Sequence, residues 1–337
     1  MINPAAKLSD TVFDKNVEQK PTRDGFGTGT VEAGKADPKV VVLCADLKES
    51  TRAEWFEKEF PDRFIEVGIG EQNMAGLAAG FALAGKVPFM ASYAAFSPGR
   101  NYEQIRTTIA LNNVPVKVAG MHAGVSVGPD GATHQMLEDI GLMRMLPRMV
   151  VINPIDAIEA HKAVIAAAKT QEPTYIRFGR SAVPVVTTSD TPFAIGKALT
   201  LWESAGKEGA SAPKVALLAT GSMSLVALQA ARALDADGVG SIVLHVPTIK
   251  PLDEAAVLSA AKRAGTVITI EEHQIAGGFG SAIAEYLSSA YPVPVTRMGI
   301  NDEFGQSGEP NELLEHYGLS AAHIAEVARA AIAHRPR

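Results

Sequence analysis

Residues Phe64 to Phe89, FIEVGIGEQNMAGLAAGFALAGKVPF, restrict the fold more than any other stretch of the chain. The apolar run Phe64, Ile65, Val67 has the length of a strand and ends at Gly68-Ile69-Gly70. A helical period follows, with Met74, Leu77, Ala78 and Phe81 on one face. Gly85 stops it, and Val87-Pro88-Phe89-Met90 reads as the next strand. This is one βαβ unit of a parallel sheet, with the carboxylate of Glu71 at its strand-to-helix junction. Polar groups at the carboxyl ends of parallel strands face the ligand crevice.

An acid in the first turn of a helix is favoured by the macrodipole alone, so Glu71 needs no further role on position. Its company argues for one. The neighbouring glycines let a ligand or another chain approach the backbone. The flanking residues are apolar, and a carboxyl in such surroundings can stay protonated near neutral pH, as a hydrogen-bond donor to a ring nitrogen.

The same strand and helix alternation extends through the chain. Val40-Val41-Val42-Leu43 is a continuous apolar run, as in a strand buried on both faces, and it places Asp46 and Ser50 at its carboxyl end. Tyr93 and Phe96 follow the central unit, then a helical stretch from about Tyr102 to Leu111 and a strand Val116-Lys117-Val118-Ala119. Val150-Val151-Ile152 and Tyr175-Ile176-Arg177-Phe178 are further strands around a helix ending near Lys169, and the last closes on Gly179-Arg180. Residues 1 to about 25 are polar and loop-like. The expected architecture is α/β with two doubly wound domains: residues 1–187, a turn-rich hydrophilic linker at 188–213, and 214–337. In the second domain strands are expected at Val215 to Ala219, Ile242 to Leu244, Val267 to Ile270 and Val293 to Val295, with a last helix from Ala321 to about Ala333.

The loop Gly120 to Gln135 is the most polar and glycine-rich of the chain, and it carries His122, Asp130 and His134. Each of these could be an ordinary surface residue. The His122 to His134 separation matches no short metal-ligand spacing, and no metal site is expected here. Gly277-Gly278-Phe279-Gly280 opens a helix but lacks the Lys-Ser/Thr of a P-loop, so a tight turn is the better account.

Composition limits the remaining classes. The chain has 337 residues, 47% hydrophobic and 20% charged, as in ordinary soluble α/β proteins. Its net charge of −6 argues against a general nucleic-acid binder and leaves room for a local phosphate pocket. The single cysteine, Cys44, excludes an internal disulfide framework and fits a reducing compartment. With no apolar leader and no run of membrane-spanning length, a cytoplasmic protein is expected, with no membrane contact.

Three strings are more specific together than apart. Ala45-Asp46-Leu47 with Ser50, Gly68-Ile69-Gly70-Glu71-Gln72-Asn73-Met74, and Gly128-Pro129-Asp130-Gly131-Ala132-Thr133-His134-Gln135 resemble the pyrimidine-binding half of a transketolase. The resemblance runs from about Arg23 to Arg180, and the second domain resembles the family's C-terminal domain. The Gly-Asp-Gly to Asn motif that holds diphosphate and metal in single-chain transketolases does not occur.

The resemblance therefore implies the C-terminal subunit of a split transketolase. An N-terminal subunit on a separate chain would supply the diphosphate and Mg²⁺ site, in an α2β2 heterotetramer inactive without it. Thiamine diphosphate is the implied cofactor and sugar phosphates are the implied substrates. Glu71 would bind the cofactor's pyrimidine nitrogen, with Tyr93 and Phe96 stacked on that ring and Asp46 and Arg100 also near the cofactor. Arg23, Ser50 and Arg180 would take the substrate phosphate, His122 and His134 would act at the reacting carbons, and Asp130 would read a sugar hydroxyl. The alternatives are a 1-deoxyxylulose-phosphate synthase-like chain, a 2-oxo acid dehydrogenase β-like subunit, and a non-catalytic relative that only binds a partner.

Overall fold

The structure, a computed structural model, describes residues 1–207 and 212–334. Residues 208–211 of the expected linker, and 335–337, lie outside the described residues.

In chain order the strands are β1 (Gln19–Pro21), β2 (Val40–Cys44), β3 (Phe64–Glu66), β4 (Val87–Tyr93), β5 (Lys117–Met121), β6 (Val150–Ile152), β7 (Thr174–Arg177) and β8 (Ala182–Pro184). Then come β9 (Leu199–Glu203), β10 (Val215–Ala219), β11 (Ser241–His245), β12 (Thr248–Lys250), β13 (Val267–Gln274) and β14 (Val295–Ile300). They form a seven-stranded sheet in the order β12-β6-β7-β5-β4-β2-β3 and a five-stranded sheet in the order β14-β13-β10-β11-β9, with β1 and β8 as a separate antiparallel pair. Both large sheets are parallel except for one antiparallel edge strand each, β12 and β9. The α/β architecture with two wound sheets agrees with the expectation.

Burial explains why the runs are so apolar. Every residue of β2 is buried, as a strand covered by helices on both faces requires. Each such aliphatic side chain contributes roughly 1.5–3 kcal/mol relative to exposure. On one face the helices Thr22–Ala36 and Ala157–Ala168 pack so closely that side chains at their contact must be small. A Cβ at Gly25 would lie 2.3 Å from the Ala157 carbonyl oxygen, and one at Gly29 would lie 2.8 Å from the Val164 Cβ. The glycine-rich run at 25–29 is thus a helix contact surface.

On the other face the helix Glu71–Leu83 buries Met74, Ala75, Ala78, Ala79 and Ala82. Leu77, read from the periodicity as part of that face, points outward and is 39% exposed, as are Ile69 (75%) and Leu83 (71%). The helix is apolar on both sides, so period alone could not say which side meets this chain's core.

The two halves interlock. Thr248–Lys250 leaves the second half to pair with β6 of the first sheet. The N-terminal residues do the reverse: the Asn3 amide donates to Leu201 O at 2.9 Å, and Ala6 and Val12 sit in the core of the second half. Those first residues are therefore a docked arm, where the sequence suggested a loop-like approach to the first helix. Leu199–Glu203, within the span 188–213, is the antiparallel edge strand on β11. The buried ion pair of Arg177 with Asp139 (2.8 Å) lies at the junction, where Arg177 Nη2 also donates to Glu272 O (2.9 Å).

Candidate functional site

The sequence-selected residues lie at or just beyond the carboxyl ends of five neighbouring strands, in the sheet order β7-β5-β4-β2-β3. Arg180 follows β7, His122 follows β5, Tyr93 ends β4 with Phe96 and Arg100 beyond it, Asp46 and Ser50 follow β2, and Glu71 follows β3. Arg23 is in the first turn of the helix Thr22–Ala36.

Glu71 opens its helix and is only 2% exposed. Its surroundings are more polar than its sequence neighbours suggest. Arg100 Nη1 donates to Glu71 Oε2 at 2.7 Å, and Asn101 Nδ2 donates to the Glu71 carbonyl at 2.9 Å. The Arg100 guanidinium also lies over the Phe96 ring, 4.7 Å from its centroid. Phe96 and Tyr93 are stacked (5.9 Å, 14°), and Tyr93 is stacked in turn on the imidazole of His122 (4.0 Å, 27°). His134 meets both aromatic rings edge-on, at 6.0 Å from Tyr93 and 5.5 Å from Phe96. Four rings and one guanidinium thus form a wall, buried at His122 and half-exposed at the other rings, beside a buried carboxylate.

The far end of the wall is cationic. Arg23 Nη1 donates to Ser50 O (2.8 Å) and to His122 Nε2 (3.1 Å). A guanidinium has no acceptor, so His122 Nε2 accepts and the ring proton is on Nδ1. That Nδ1 is buried without a protein partner, a donor left unsatisfied within the chain. Burial first, then the charges of Arg23 and Arg180, lower the His122 pKa to about 3, so the ring is neutral at physiological pH. Its backbone is left-handed (φ 54°), an unfavourable conformation for a residue with a Cβ and one often found at functional sites. Burial and the neighbouring Arg52 also lower the pKa of Arg23. Crowded cations of this kind favour an anionic ligand.

The remaining residues are placed by the loops. Arg180 Nη1 donates to Val127 O (2.8 Å) and lies 3.9 Å from Asp130 Oδ1. His134 Nδ1 is 2.8 Å from Thr133 Oγ1. Ser50 contributes its carbonyl to Arg23. Asp46, exposed and left-handed at φ 57°, is tied through its amide to Glu66 Oε1 at 2.8 Å, and the same oxygen accepts the Gly68 amide at 2.9 Å. Glu66, which joins the β2 and β3 loops, was not singled out in the sequence. An acid ending a strand just before a Gly-x-Gly turn was the available signal.

The Gly277-Gly278-Phe279-Gly280 turn is filled from within. Glu271, within β13, accepts the amides of Phe279 (2.6 Å) and Gly280 (2.7 Å), so the helix N-terminus where a phosphate would sit already holds a carboxylate. Burial raises the Glu271 pKa to about 7 against those two amides.

The donor set fits one end of thiamine diphosphate: a buried carboxylate for a ring nitrogen and aromatic faces for a pyrimidine, with an unpartnered imidazole N–H beyond them. Among the described residues no group of three or more His, Cys, Asp or Glu could hold a metal ion, and no helix is long and apolar enough to cross a membrane.

Two family models and several known proteins match the chain. Residues 18–186 match the family described as "Transketolase, pyrimidine binding domain", and residues 205–324 match "Transketolase, C-terminal domain". The chain is 40% identical over 310 residues to the "Putative transketolase C-terminal section" of Methanocaldococcus jannaschii, covering 91% of this chain and 95% of that one. It is 37% identical over 316 residues to the "6-deoxy-6-sulfo-D-fructose transketolase subunit SqwH" of Clostridium sp. (strain MSTE9), covering 94% and 96%. A solved structure titled "Split gene transketolase, inactive beta4 tetramer" superposes with a TM-score of 0.85 at 42% identity, over 94% of this chain and 99% of that one.

Proposed function

The chain belongs to the transketolase family, and from that premise we propose that it is the C-terminal subunit of a two-chain transketolase moving a two-carbon ketol unit between sugar phosphates. The observation that carries the proposal is the continuous line of contacts from Glu71 through Arg100, Phe96, Tyr93 and His122 to Arg23. It joins a carboxylate and aromatic wall suited to a pyrimidine with a cationic end suited to a phosphate.

Thiamine diphosphate, when bound, supplies a carbon nucleophile and an electron sink. Glu71 would hold the pyrimidine ring nitrogen through a hydrogen bond at its carboxyl, with Arg100 fixing the carboxyl's orientation. Phe96 and Tyr93 would offer an aromatic face to that ring, with Asp46 at the neighbouring strand end. His122, neutral and protonated on Nδ1, donates to an oxygen at the reacting carbons. His134, on the same wall, moves a proton there. Arg23 and Arg180 bind the phosphate, with Ser50 holding Arg23 in place, and Asp130 reads a sugar hydroxyl.

The diphosphate and Mg²⁺ belong to a separate N-terminal subunit in this reading, in an α2β2 assembly in the cytoplasm. The outer face of the helix Glu71–Leu83 supports that division. Ile69, Leu77 and Leu83 are exposed there, and a Cβ at Gly76 or Gly80 would meet no atom within 4 Å. An apolar face rooted at the cofactor carboxylate is a natural partner surface. The test is to mix this chain with a candidate N-terminal polypeptide, thiamine diphosphate and Mg²⁺ and to follow sugar-phosphate interconversion. Turnover is expected from the mixture and from neither chain alone; a mixture that assembles and binds cofactor without turnover would reject the transketolase reading.

A further inference from the structure

The loop that carries His122, Asp130 and His134 is held from outside its own domain. Glu272, buried on β13 of the second sheet, accepts the Ser126 amide at 2.6 Å, and the Ser126 carbonyl accepts from Ser181 Oγ at 2.6 Å. Gly124, at φ 92°, is required twice: a side chain there would be strained, and its Cβ would lie 2.2 Å from Glu272 Oε1. Gln135, buried beside His134, directs its amide at Val125 O (3.1 Å), Gly128 O (3.1 Å) and Gln306 O (2.9 Å), the last in the second domain. A Cβ at Gly131 would lie 2.6 Å from Ser307 Oγ, and one at Gly305 would lie 1.7 Å from Gln135 Oε1. Two of the loop's glycines, Gly124 and Gly131, therefore face the second domain's chain, and their absent side chains admit it.

We infer that the C-terminal domain serves as the template for this loop, with Glu272 and Gln135 as positioning residues that set where His122, Asp130, His134 and Arg180 stand. Arg180 is included because its anchor, Val127 O, lies between the two clamps. The inference rests on the transketolase reading for what the loop does, but the clamp itself is a property of this chain. A displacement of about 1 Å in such groups costs on the order of 100-fold in rate.

Gly305→Ala tests it, because the added methyl meets the Gln135 carboxamide and touches no substrate group. In the assembled enzyme kcat is expected to fall at least about tenfold, with thiamine diphosphate affinity and the unfolding midpoint close to wild type. Adding Gln135→Ala, which vacates the space, should make the two losses non-additive. Hydrogen exchange on the full chain supplies a readout without turnover: amides 124–135 should exchange faster in Gly305→Ala, while those of 72–83 do not change. Unchanged exchange, or losses that multiply in the double variant, would overturn the inference. An inactive wild-type mixture would instead count against the transketolase reading, with the exchange result still deciding this one. Should Gly305→Ala fail to fold, Glu272→Gln, which keeps an acceptor for Ser126, is expected to retain activity that Glu272→Ala loses, and equal activity in the two would overturn the clamp.

Discussion

Arg23 and His122 meet nitrogen to nitrogen at 3.1 Å, and because a guanidinium only donates, the contact fixes the imidazole as neutral with its proton on Nδ1. One hydrogen bond thus sets both the charge and the direction of a group at the candidate site. Burial of the ring, reinforced by the charges of Arg23 and Arg180, makes the protein sensitive to acid. The folded His122 pKa is lowered to about 3, whereas the unfolded ring takes a proton near 6.5. Below about pH 6.5 the unfolded chain binds a proton that the folded chain refuses, so stability contributed by this group is present above that pH and is lost as pH falls toward 3. Denaturant unfolding between pH 7 and 4 should show a shallower decline for His122→Asn than for wild type. Parallel declines would contradict the assignment.

Glu71→Gln keeps the size of the side chain and removes its charge from Arg100. The assembled enzyme is expected to lose about 10²- to 10⁴-fold in kcat, the range for removing a positioned proton-transfer group. Sedimentation should give the same assembly as wild type. Near-normal turnover would remove the carboxyl from the mechanism.

Asp139 is fully buried against Arg177 and accepts a further hydrogen bond from Tyr175 at 2.7 Å. Asp139→Ala leaves the Arg177 charge buried without its counter-ion. A loss of about 3–5 kcal/mol in urea unfolding is expected. A loss under about 1 kcal/mol would mean that Arg177 finds water or a new partner.

Leu77 is the exposed leucine in the middle of the helix that Glu71 opens. Leu77→Asp should leave the unfolding midpoint of this chain alone nearly unchanged and weaken association with the N-terminal polypeptide at least about tenfold, as for a residue central to an interface. Titration calorimetry measures it. Unaltered affinity would place the partner on another face.

Much of the fold was legible because buried parallel strands are written as uninterrupted apolar runs: Val215–Ala219 is where the sequence places it, and the last helix, expected from Ala321 to about Ala333, spans Ala321–Ala333. The site's outline was legible for a related reason. Polar residues directly after such runs, as at Asp46, Glu71 and His122, fall at strand ends wherever the strands themselves are correct. What escaped was non-local. Thr248–Lys250 is too short to announce a strand, and its partner β6 comes from the other half of the chain. The outward turn of Leu77 depends on what lies beyond this chain, since both sides of its helix are apolar. The Arg100 partner of Glu71 stands 29 residues away, so the carboxylate looked more isolated than it is. The glycines of the 120–135 loop mark only a loop in the sequence, whereas 124 and 131 make room for Glu272 and Ser307.

Binding of thiamine diphosphate, followed by calorimetry with this chain alone, with the N-terminal polypeptide alone, and with the two mixed in Mg²⁺, probes most directly the claim that this chain carries one half of a shared cofactor site. The account predicts tight, saturable binding only in the mixture, weakened when this chain carries Glu71→Gln. Tight binding by either chain alone, or a mixture indifferent to the Glu71 substitution, would contradict it.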